Sequence, residues 1–406
     1  MRHGEGWERK GNERAEIDQI RKIIGRQSRI RNQRMVAIIE KRDLRDFDWL
    51  TTLLAIAISC FGIWQIHNAL PTESYWSKQI IGLCIAMVAF LVIAFSDYRR
   101  IIDAAPLFYF GGLILLLLVI TPLGVEVNGQ KAWLKLPVIG QFQPSEFVKI
   151  PTVLMLAKYF GARKAGNLTL REMVIGGLIL GGPVGLIMLE PDAGQSITYF
   201  PLLAAVLFLS AIKIRYVVIA MVAAAIFVPT AYIVGVKTGA IKRYQQERIL
   251  AIIDPESVDP RGYGYHTLQS IITVGKGGLS GIKGDPETSQ SVLKFLPEPH
   301  TDFIFAVTAE NTGFIGCISL LLAYALLLSR LVAGARDASD RAGMLVIMAI
   351  VSGMIFQIFL NIGMAEGFLP VIGVPLPLMS AGLSAILSTF IAIGFVVSIK
   401  MRRFVN

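Results

Sequence analysis

The sequence predicts an all-α, polytopic membrane protein with about ten transmembrane helices and a long, partly helical extracytoplasmic loop. Of the 406 residues, 54% are hydrophobic and only 17% are charged, whereas roughly 25% are charged in soluble domains. Apolar stretches of roughly 17–25 residues, each long enough to cross a bilayer, recur about ten times along the chain. Lys and Arg gather in the short connections between these stretches, as orientation signals do.

The spans divide the chain into a cytoplasmic basic tail (1–48), a membrane domain (49–399) and a short cytoplasmic end (400–406). The tail is either disordered or an amphipathic helix on an anionic inner leaflet, and the sequence leaves both interpretations open. The predicted spans are 49–69, 78–96, 101–121, 144–160, 173–189, 194–211, 216–236, 303–329, 342–364 and 378–399.

The connections after the even-numbered spans are basic, with Arg99 after the second, Lys213 after the sixth and Arg330 after the eighth. The positive-inside rule therefore predicts that both termini are cytoplasmic. The long connection 237–302 then lies outside, where its prolines and the glycine-rich segment 275–278 favour a re-entrant, partly helical loop over a packed domain.

Two function classes are disfavoured by composition. The net charge of +10 could suggest nucleic acid, but no basic patch interleaved with aromatic residues is present, so we expect no nucleic-acid binding. Cys60, Cys84 and Cys317 lie far apart inside apolar spans, which indicates neither a zinc site nor a disulfide framework.

Polar motifs cluster at the predicted outer face, and Asp302 is the first of them. It stands beside His300 at the start of the eighth span, where an ionisable side chain at the membrane boundary is costly unless it has a partner or a function. Capping of the following helix is the alternative interpretation.

Glu146 and Lys149 lie three residues apart near the start of the fourth span, so they share one helix face. They form either a structural salt bridge or part of a wet cavity, and one pair can do both. Asp192 follows in the tight acidic segment 190–195, which is alternatively only a turn.

Two outer loops supply further candidates. Trp133 is a binding residue or an interfacial anchor, and Arg248, with Gln269 and Ser270, could hold phosphate or sugar rather than serve as a solvated surface. Together, the outer motifs suit an amphiphilic substrate with an anionic phosphate head and an apolar tail.

The segment 296–305, Leu-Pro-Glu-Pro-His-Thr-Asp-Phe-Ile-Phe, resembles the signature of the shape, elongation, division and sporulation (SEDS) family of membrane proteins. Segments 143–149, 190–195 and 361–377 resemble further family motifs in the right order. The segments 46–49 and 244–249 look more like the RodA branch of this family, which acts in cell elongation, than like the FtsW branch.

The resemblance implies a peptidoglycan glycosyltransferase that polymerises lipid II, a disaccharide-pentapeptide on a polyprenyl pyrophosphate, outside the bacterial cytoplasmic (inner) membrane. It places the catalytic aspartate on Asp302, the loop tryptophan on Trp133, and the cavity pair on Glu146 and Lys149. It also implies a class B penicillin-binding protein as partner, together with other membrane proteins of an elongation complex.

Two segments depart from the family pattern. Residues 380–384 read Ser-Ala-Gly-Leu-Ser where the family usually has Ser-Tyr-Gly-Gly-Ser. The segment 284–291 lacks the glycine that the family usually has before the pair Gln290-Ser291. Both departures put local packing or substrate contacts in doubt and leave Asp302 untouched.

Displacement of an α-linked pyrophosphate by a sugar hydroxyl to give a β-linked product is a single inversion. It needs one base on the hydroxyl, because pyrophosphate leaves without protonation. We expect Asp302 to be that base, with Lys149, Arg248 and, as an open addition, Mg²⁺ or Mn²⁺ offsetting the charge on the leaving group. A lipid-linked precursor flippase is the main alternative, and a non-catalytic scaffold is the third.

Overall fold

The computed structural model describes residues 46–127, 130–136, 140–163, 166–239, 246, 250, 263–282 and 287–403. The chain divides into two units, 1–47 and 48–406, and every element below belongs to the second. The greater part of the predicted basic tail, a large part of the long loop, and Arg248 lie outside the described residues.

Helices make up nearly all of the regular structure. In chain order they are α1 (Trp49–Ala69), α2 (Tyr75–Phe95), α3 (Tyr98–Asp103), α4 (Ala105–Ile120), α5 (Pro144–Gly161), α6 (Leu170–Leu189), α7 (Ala193–Ile197), α8 (Phe200–Leu209), α9 (Ile214–Lys237), α10 (Tyr263–Lys276), α11 (Ile304–Arg336), α12 (Arg341–Ala365) and α13 (Leu383–Met401). The strands are β1 (Gly124–Val127), β2 (Gln130–Leu136) and β3 (Gly140–Phe142).

Seven of the helices found in the described part of the chain are long and apolar enough to cross a membrane: α1, α2, α6, α9, α11, α12 and α13. α4 and the stretch from α7 to α8 are apolar but shorter. α5 falls outside this set because Glu146, Lys149 and Lys158 interrupt its apolar sequence. The prediction of an all-α polytopic fold is confirmed, while the number of ten spans stays a prediction.

Two predicted spans are broken rather than continuous. The third consists of α3 and α4, which meet at Ala104, and the sixth consists of α7 and α8, separated at Thr198 and Tyr199. A proline near the start of each second helix explains the breaks, because proline favours the first turn of a helix over its interior.

The predicted outer connection 122–143 contains a small antiparallel sheet that was not predicted from the sequence. Its strands are ordered β1-β2-β3, and Trp133 on β2 pairs with Val125 on β1. The sheet leads directly into α5, so it stands at the end of the bundle where Glu146 lies.

At one end of the bundle, the buried carboxylate of Asp48 joins several helices. Asp48 accepts hydrogen bonds from Arg330 Nη2 at 3.0 Å and Lys400 Nζ at 2.5 Å, and its side chain also caps α1 through Thr51 N. The start of α1, the distal part of α11 and the end of α13 therefore share one side, as the charge pattern predicts. We call the opposite end the outer end, following that prediction.

The glycine-rich segment after α10 packs against a break in α11. Gly313 has φ 65° and ψ −166° within α11, so the helix ladder is interrupted there. Gly278 O and Leu279 O accept hydrogen bonds from Phe314 N at 2.9 Å and Ile315 N at 3.2 Å. The loop thus satisfies backbone groups that the break leaves without helical partners, as apolar surroundings require.

Candidate active site at the outer ends of the helices

Asp302 stands immediately before α11 in a segment whose backbone is firmly held. Three consecutive carbonyls, at residues 300–302, accept hydrogen bonds from other parts of the bundle. Their donors are, in order, Ala381 N at 2.8 Å, Ser380 Oγ at 2.6 Å and Asn361 Nδ2 at 2.9 Å. The position of the Asp302 backbone is therefore set by groups 59–81 residues away in sequence.

The carboxylate of Asp302 faces a glycine. A Cβ atom added to Gly373, which has φ 72°, would lie 3.4 Å from Asp302 Oδ2. The N-cap residue of α11 is Phe303, so Asp302 does not occupy the capping position that was its alternative interpretation. Its partly exposed side chain lies at the outer end of the bundle.

His300 lies two residues earlier and is buried. Its ring stacks on Tyr75 with the centroids 4.0 Å apart, and its Nε2 atom is 4.0 Å from Glu298 Oε2. Burial lowers the pKa of His300 below its ordinary value, although the nearby Glu298 opposes this shift. The imidazole is therefore neutral at physiological pH.

Glu146 is the centre of a buried polar network. Its Oε2 atom is 3.1 Å from Lys149 Nζ and 3.4 Å from Ser388 Oγ, and its Oε1 atom accepts a 2.6 Å hydrogen bond from Gln195 Nε2. α5 begins at Pro144, and the three-residue spacing places Glu146 and Lys149 on one face of this helix. The predicted ion pair is present, and it is joined to residues from two other elements.

Asp192 joins this network through the start of α7. As the N-cap residue of α7, it accepts a hydrogen bond from Gln195 N at 2.9 Å and another from Gln143 Nε2 at 3.0 Å. Gln143 N in turn donates to Ser384 Oγ at 2.8 Å. The acidic segment 190–195 is thus both a turn and part of the polar cluster.

Glu190 is buried in the same turn. Both of its carboxyl oxygens lack a hydrogen-bond partner within the described residues. Burial, assisted by the nearby Asp192, raises the pKa of Glu190 to about 8, so this group is mostly protonated at neutral pH. Burial also raises the pKa of Asp192 to about 6, although the hydrogen bond from Gln195 N lowers it.

A cavity of about 60 Å³ opens beneath the Glu146–Lys149 pair. This volume can hold several water molecules or part of a chain, since one water needs roughly 10–15 Å³. Its polar lining is Glu146, Lys149, Thr198, Gln357, Ser388 and Thr389, and its apolar lining is Ile150, Val153, Leu202, Ile350, Gly353, Met354 and Ala392. The cavity is thus polar at the acid–lysine pair and apolar along its walls.

The Asp302 segment and the acidic turn are brought together by one stretch of backbone. A Cβ atom added to Gly194 would lie 2.1 Å from Ile372 O, while the next residue, Gly373, faces the Asp302 carboxylate. Asp302 and the turn that contains Asp192 therefore contact adjacent residues of the segment after α12. Two of the predicted outer motifs, the Asp302 segment and the acidic turn, thus lie at the same end of the bundle.

The other predicted site residues are placed as follows. Trp133 is half-buried in the outer sheet, and Gln269 is half-buried on α10. Ser270 is buried and donates its hydroxyl hydrogen bond to Ala365 O at 2.8 Å, so in this structure it joins α10 to the end of α12. Arg248 lies outside the described residues.

The described part of the chain contains no preformed binding site for the predicted divalent cation. No group of three or more His, Cys, Asp or Glu side chains there is arranged to hold a metal ion. The two oxygens of Glu146 are already bonded to Lys149 and Gln195. These residues do not fit a cation held by the protein alone.

Several polar residues of the site are not among those predicted from the sequence: Glu190, Gln195, Glu310 and Asn361. Asn361 and Glu310 each interrupt a long apolar span, which is the signal that could have identified them. Their partners are remote in sequence, so no local pattern could have supplied the contacts.

A helical membrane bundle with a buried carboxylate–lysine network at one end, next to an anchored aspartate, defines a polytopic membrane protein with an intramembrane polar site. The model of the cell cycle protein family that comprises FtsW, RodA and SpoVE matches residues 47–404. The chain belongs to this family.

Individual relatives agree with that assignment. The peptidoglycan glycosyltransferase MrdB of Escherichia coli K12 is 36% identical over 352 residues, which cover 86% of this chain and 92% of MrdB. A chain from a peptidoglycan synthase complex that coordinates polymerization and crosslinking matches with TM-score 0.76 and 31% identity, covering 89% of this chain and 99% of that one. The crystal structure of Thermus thermophilus RodA matches with TM-score 0.66 and 26% identity, covering 89% and 98%.

Proposed function

We propose that this chain is a peptidoglycan glycosyltransferase of the RodA branch, which polymerises lipid II into glycan strands at the outer face of the bacterial cytoplasmic membrane during cell elongation. Family membership over residues 47–404 and the 36% identical relative named as such an enzyme support the activity. The flippase and scaffold alternatives are not favoured, because the 36% identical relative MrdB is named a peptidoglycan glycosyltransferase.

In this proposal Asp302 is the general base. The observation that supports it best is the anchoring of the backbone at residues 300–302, which fixes the carboxylate beside Gly373 at the outer end. Asp302 takes the proton of the attacking sugar hydroxyl as the new glycosidic bond forms and the bond to pyrophosphate breaks. Such a base contributes roughly 10²–10⁴-fold to a rate. Neutral His300, packed on Tyr75, keeps the adjacent segment in place.

Lys149 is the proposed cation for the pyrophosphate. The charge of Lys149 is compensated by Glu146 Oε2 at 3.1 Å, so binding of a phosphate requires Lys149 Nζ to share its hydrogen bonds between the two anions. Gln195 and Ser388 continue to hold Glu146 while this happens. The apolar walls of the cavity suit the first part of a polyprenyl tail.

The remaining binding residues are proposed for the sugars and the peptide. Trp133 on β2, Gln269 on α10, Asp192 at the start of α7 and His300 before α11 are proposed contacts. Arg248, which lies outside the described residues, is proposed from the sequence alone. The predicted Mg²⁺ or Mn²⁺ would enter with the pyrophosphate of the substrate, and no step above depends on it.

The solved relative from a peptidoglycan synthase complex supports an assembly in which polymerisation and crosslinking are joined. We propose a class B penicillin-binding protein as the crosslinking partner, with other membrane proteins of the elongation complex around it. The apolar helices support a multi-pass membrane location. The clustering of Arg330 and Lys400 near Asp48 supports a cytoplasmic position for that end and for both termini.

The test is polymerisation of lipid II by the purified chain in sealed liposomes, with and without the class B partner. Glycan strands should form, and Asp302→Ala should abolish them while the protein still folds. A flippase would instead move fluorescent lipid II across the bilayer without lengthening it. A scaffold would tolerate Asp302→Ala in a reconstituted complex, and either result would refute the proposed function.

A further inference from the structure

Glu310 is a buried carboxylate that the mechanism above does not use. It lies in α11 six residues beyond Ile304, about 9 Å along the helix at about 1.5 Å per residue. Its side chain is completely buried and accepts four hydrogen bonds from one short segment. The donors are Gln290 N at 2.5 Å, Ser291 Oγ at 2.8 Å, Ser289 Oγ at 3.0 Å and Ser291 N at 3.4 Å.

The backbone of Glu310 binds the chain on the other side of residues 283–286. Ile282 N donates to Glu310 O at 2.9 Å, just before the helix break at Gly313. A Cβ atom added to Gly281 would lie 2.3 Å from Asn311 O, so this approach needs glycine. Glu310 therefore binds residue 282 through its backbone carbonyl and residues 289–291 through its side-chain carboxylate.

The segment 289–291, which the Glu310 carboxylate binds, precedes Asp302 in the chain. Ser291 and Asp302 are separated by the ten residues 292–301, which include the left-handed residues Lys294 (φ 61°) and Glu298 (φ 45°). The far end of this stretch is anchored by Asn361, Ser380 and Ala381 through the carbonyls of residues 300–302. The approach to Asp302 is thus fixed at both ends, and Glu310 is the anchor at the first end.

We propose that Glu310 is a positioning residue for the glycosyltransferase reaction, acting through residues 289–301 on the placement of Asp302; this inference rests on the proposed function. A carboxylate suits this task, because it accepts several hydrogen bonds at once and donates none when ionised. Displacement of a reacting group by about 1 Å costs roughly 10²-fold in rate. The Ser289 hydroxyl supplies one of the four bonds.

The test compares Glu310→Gln with wild type in the full chain, reconstituted with lipid II and the class B partner. An amide has one acceptor oxygen and presents an NH₂ group to the remaining donors, so some of the hydrogen bonds from residues 289–291 are lost. We expect the rate at saturating lipid II to fall at least about tenfold with little change in KM. Hydrogen exchange should rise at residues 278–282 and 289–291. Glu126→Gln, the same change on exposed β1, should alter neither measurement.

A second variant covers the case in which Glu310→Gln does not fold. Ser291→Ala removes one side-chain bond to Glu310 and should give a smaller fall in saturating rate, with increased exchange limited to residues 289–291. Suppose that the folded variants show increased hydrogen exchange at residues 289–291 but keep the rate at saturating lipid II within about twofold of wild type. This result would overturn the inference, since the hydrogen bonds to Glu310 would then have a structural role only. In that case Asp302→Ala would still be inactive, so the proposed function would stand. Inactive wild type would instead refute the proposed function itself.

Discussion

The side-chain amide of Asn361 donates one 2.9 Å hydrogen bond to Asp302 O and a second 2.9 Å hydrogen bond to Val374 O. Asn361 is completely buried and lies 59 residues from Asp302 in sequence. One amide thus joins the proposed base to the segment that contains Gly373, the residue facing the Asp302 carboxylate. Asn361 is therefore one of the three groups that hold the backbone at residues 300–302, and it is the one bonded to Asp302 itself.

Asn361→Leu should lower both stability and activity. The two carbonyls would lose their donor in a buried place, at a cost of about 1–3 kcal/mol for each unsatisfied group. We also expect the polymerisation rate to fall about tenfold or more, because the Asp302 backbone is released. Thermal unfolding in detergent and the initial rate with lipid II measure the two effects.

Ser352→Ala is the matched control for this change. Ser352 is on the same helix and also donates to a remote carbonyl, Pro201 O, at 3.1 Å, but it lies outside the site. It should change stability slightly and leave the rate per folded molecule unaltered. Equal rate losses in both variants would show that Asn361 acts on the fold alone.

Gly194→Ala should displace the segment that links the two halves of the site. The added methyl group would lie 2.1 Å from Ile372 O, a backbone atom that can move only with its neighbours. We expect activity to be lost and the unfolding temperature to fall. Gly181→Ala on α6 has nothing within 4 Å of the added atom, so its activity and unfolding temperature should match wild type. An active Gly194→Ala protein would show that the close contact is unnecessary.

Substitutions in the buried Glu146–Lys149 ion pair should affect the free energy of unfolding and the polymerisation rate in different ways. Lys149→Met leaves Glu146 without its cation and should cost about 3–5 kcal/mol of unfolding free energy. Adding Glu146→Gln removes the unpaired charge, so the double variant should recover most of that stability. Its polymerisation should stay low if Lys149 binds pyrophosphate. Recovery of both stability and activity in the double variant would assign the pair a purely structural role.

Glu190 should make stability depend on pH near neutrality. Its pKa of about 8 in the folded protein exceeds the ordinary value of 4.5, so the folded state binds the proton more tightly. Raising the pH from the ordinary value through about 8 therefore removes stability. The raised pKa of Asp192, about 6, acts in the same direction at lower pH. Between about pH 6.5 and 8.5 the unfolding temperature of wild type should fall, and Glu190→Gln should flatten this slope. Equal slopes in the two proteins would contradict the assignment of a protonated Glu190.

Much of the architecture was predictable because apolar length and the placement of basic residues are local signals. The start of α5 with Glu146 and Lys149, and the position of Asp302 just before α11, follow from such patterns. The outer sheet was missed because its strands have only three to seven residues, too few for a clear alternation. The break at Gly313 was missed because glycine is tolerated in transmembrane helices.

The contacts that assemble the site could not be predicted from one sequence. The bond from Asn361 to Asp302 and the contact of Gly194 with Ile372 join segments separated by 59 and 178 residues. Glu310 carried a signal, since a carboxylate inside an apolar span usually has a specific partner. Its partners in the loop at 289–291 nevertheless follow only from the way the loop re-enters along α11.

The role of Asp302 as the general base is tested best by the initial rate of lipid II polymerisation by Asp302→Asn in liposomes with the class B partner present. The amide keeps the size of the side chain and the backbone bond to Asn361 but cannot accept the proton. The rate should fall by roughly 10²–10⁴-fold with an unchanged unfolding temperature, whereas Asp103→Asn, an exposed change on α3, should match wild type. A folded Asp302→Asn protein that polymerises within a few-fold of wild type would contradict the assignment of Asp302 as the general base.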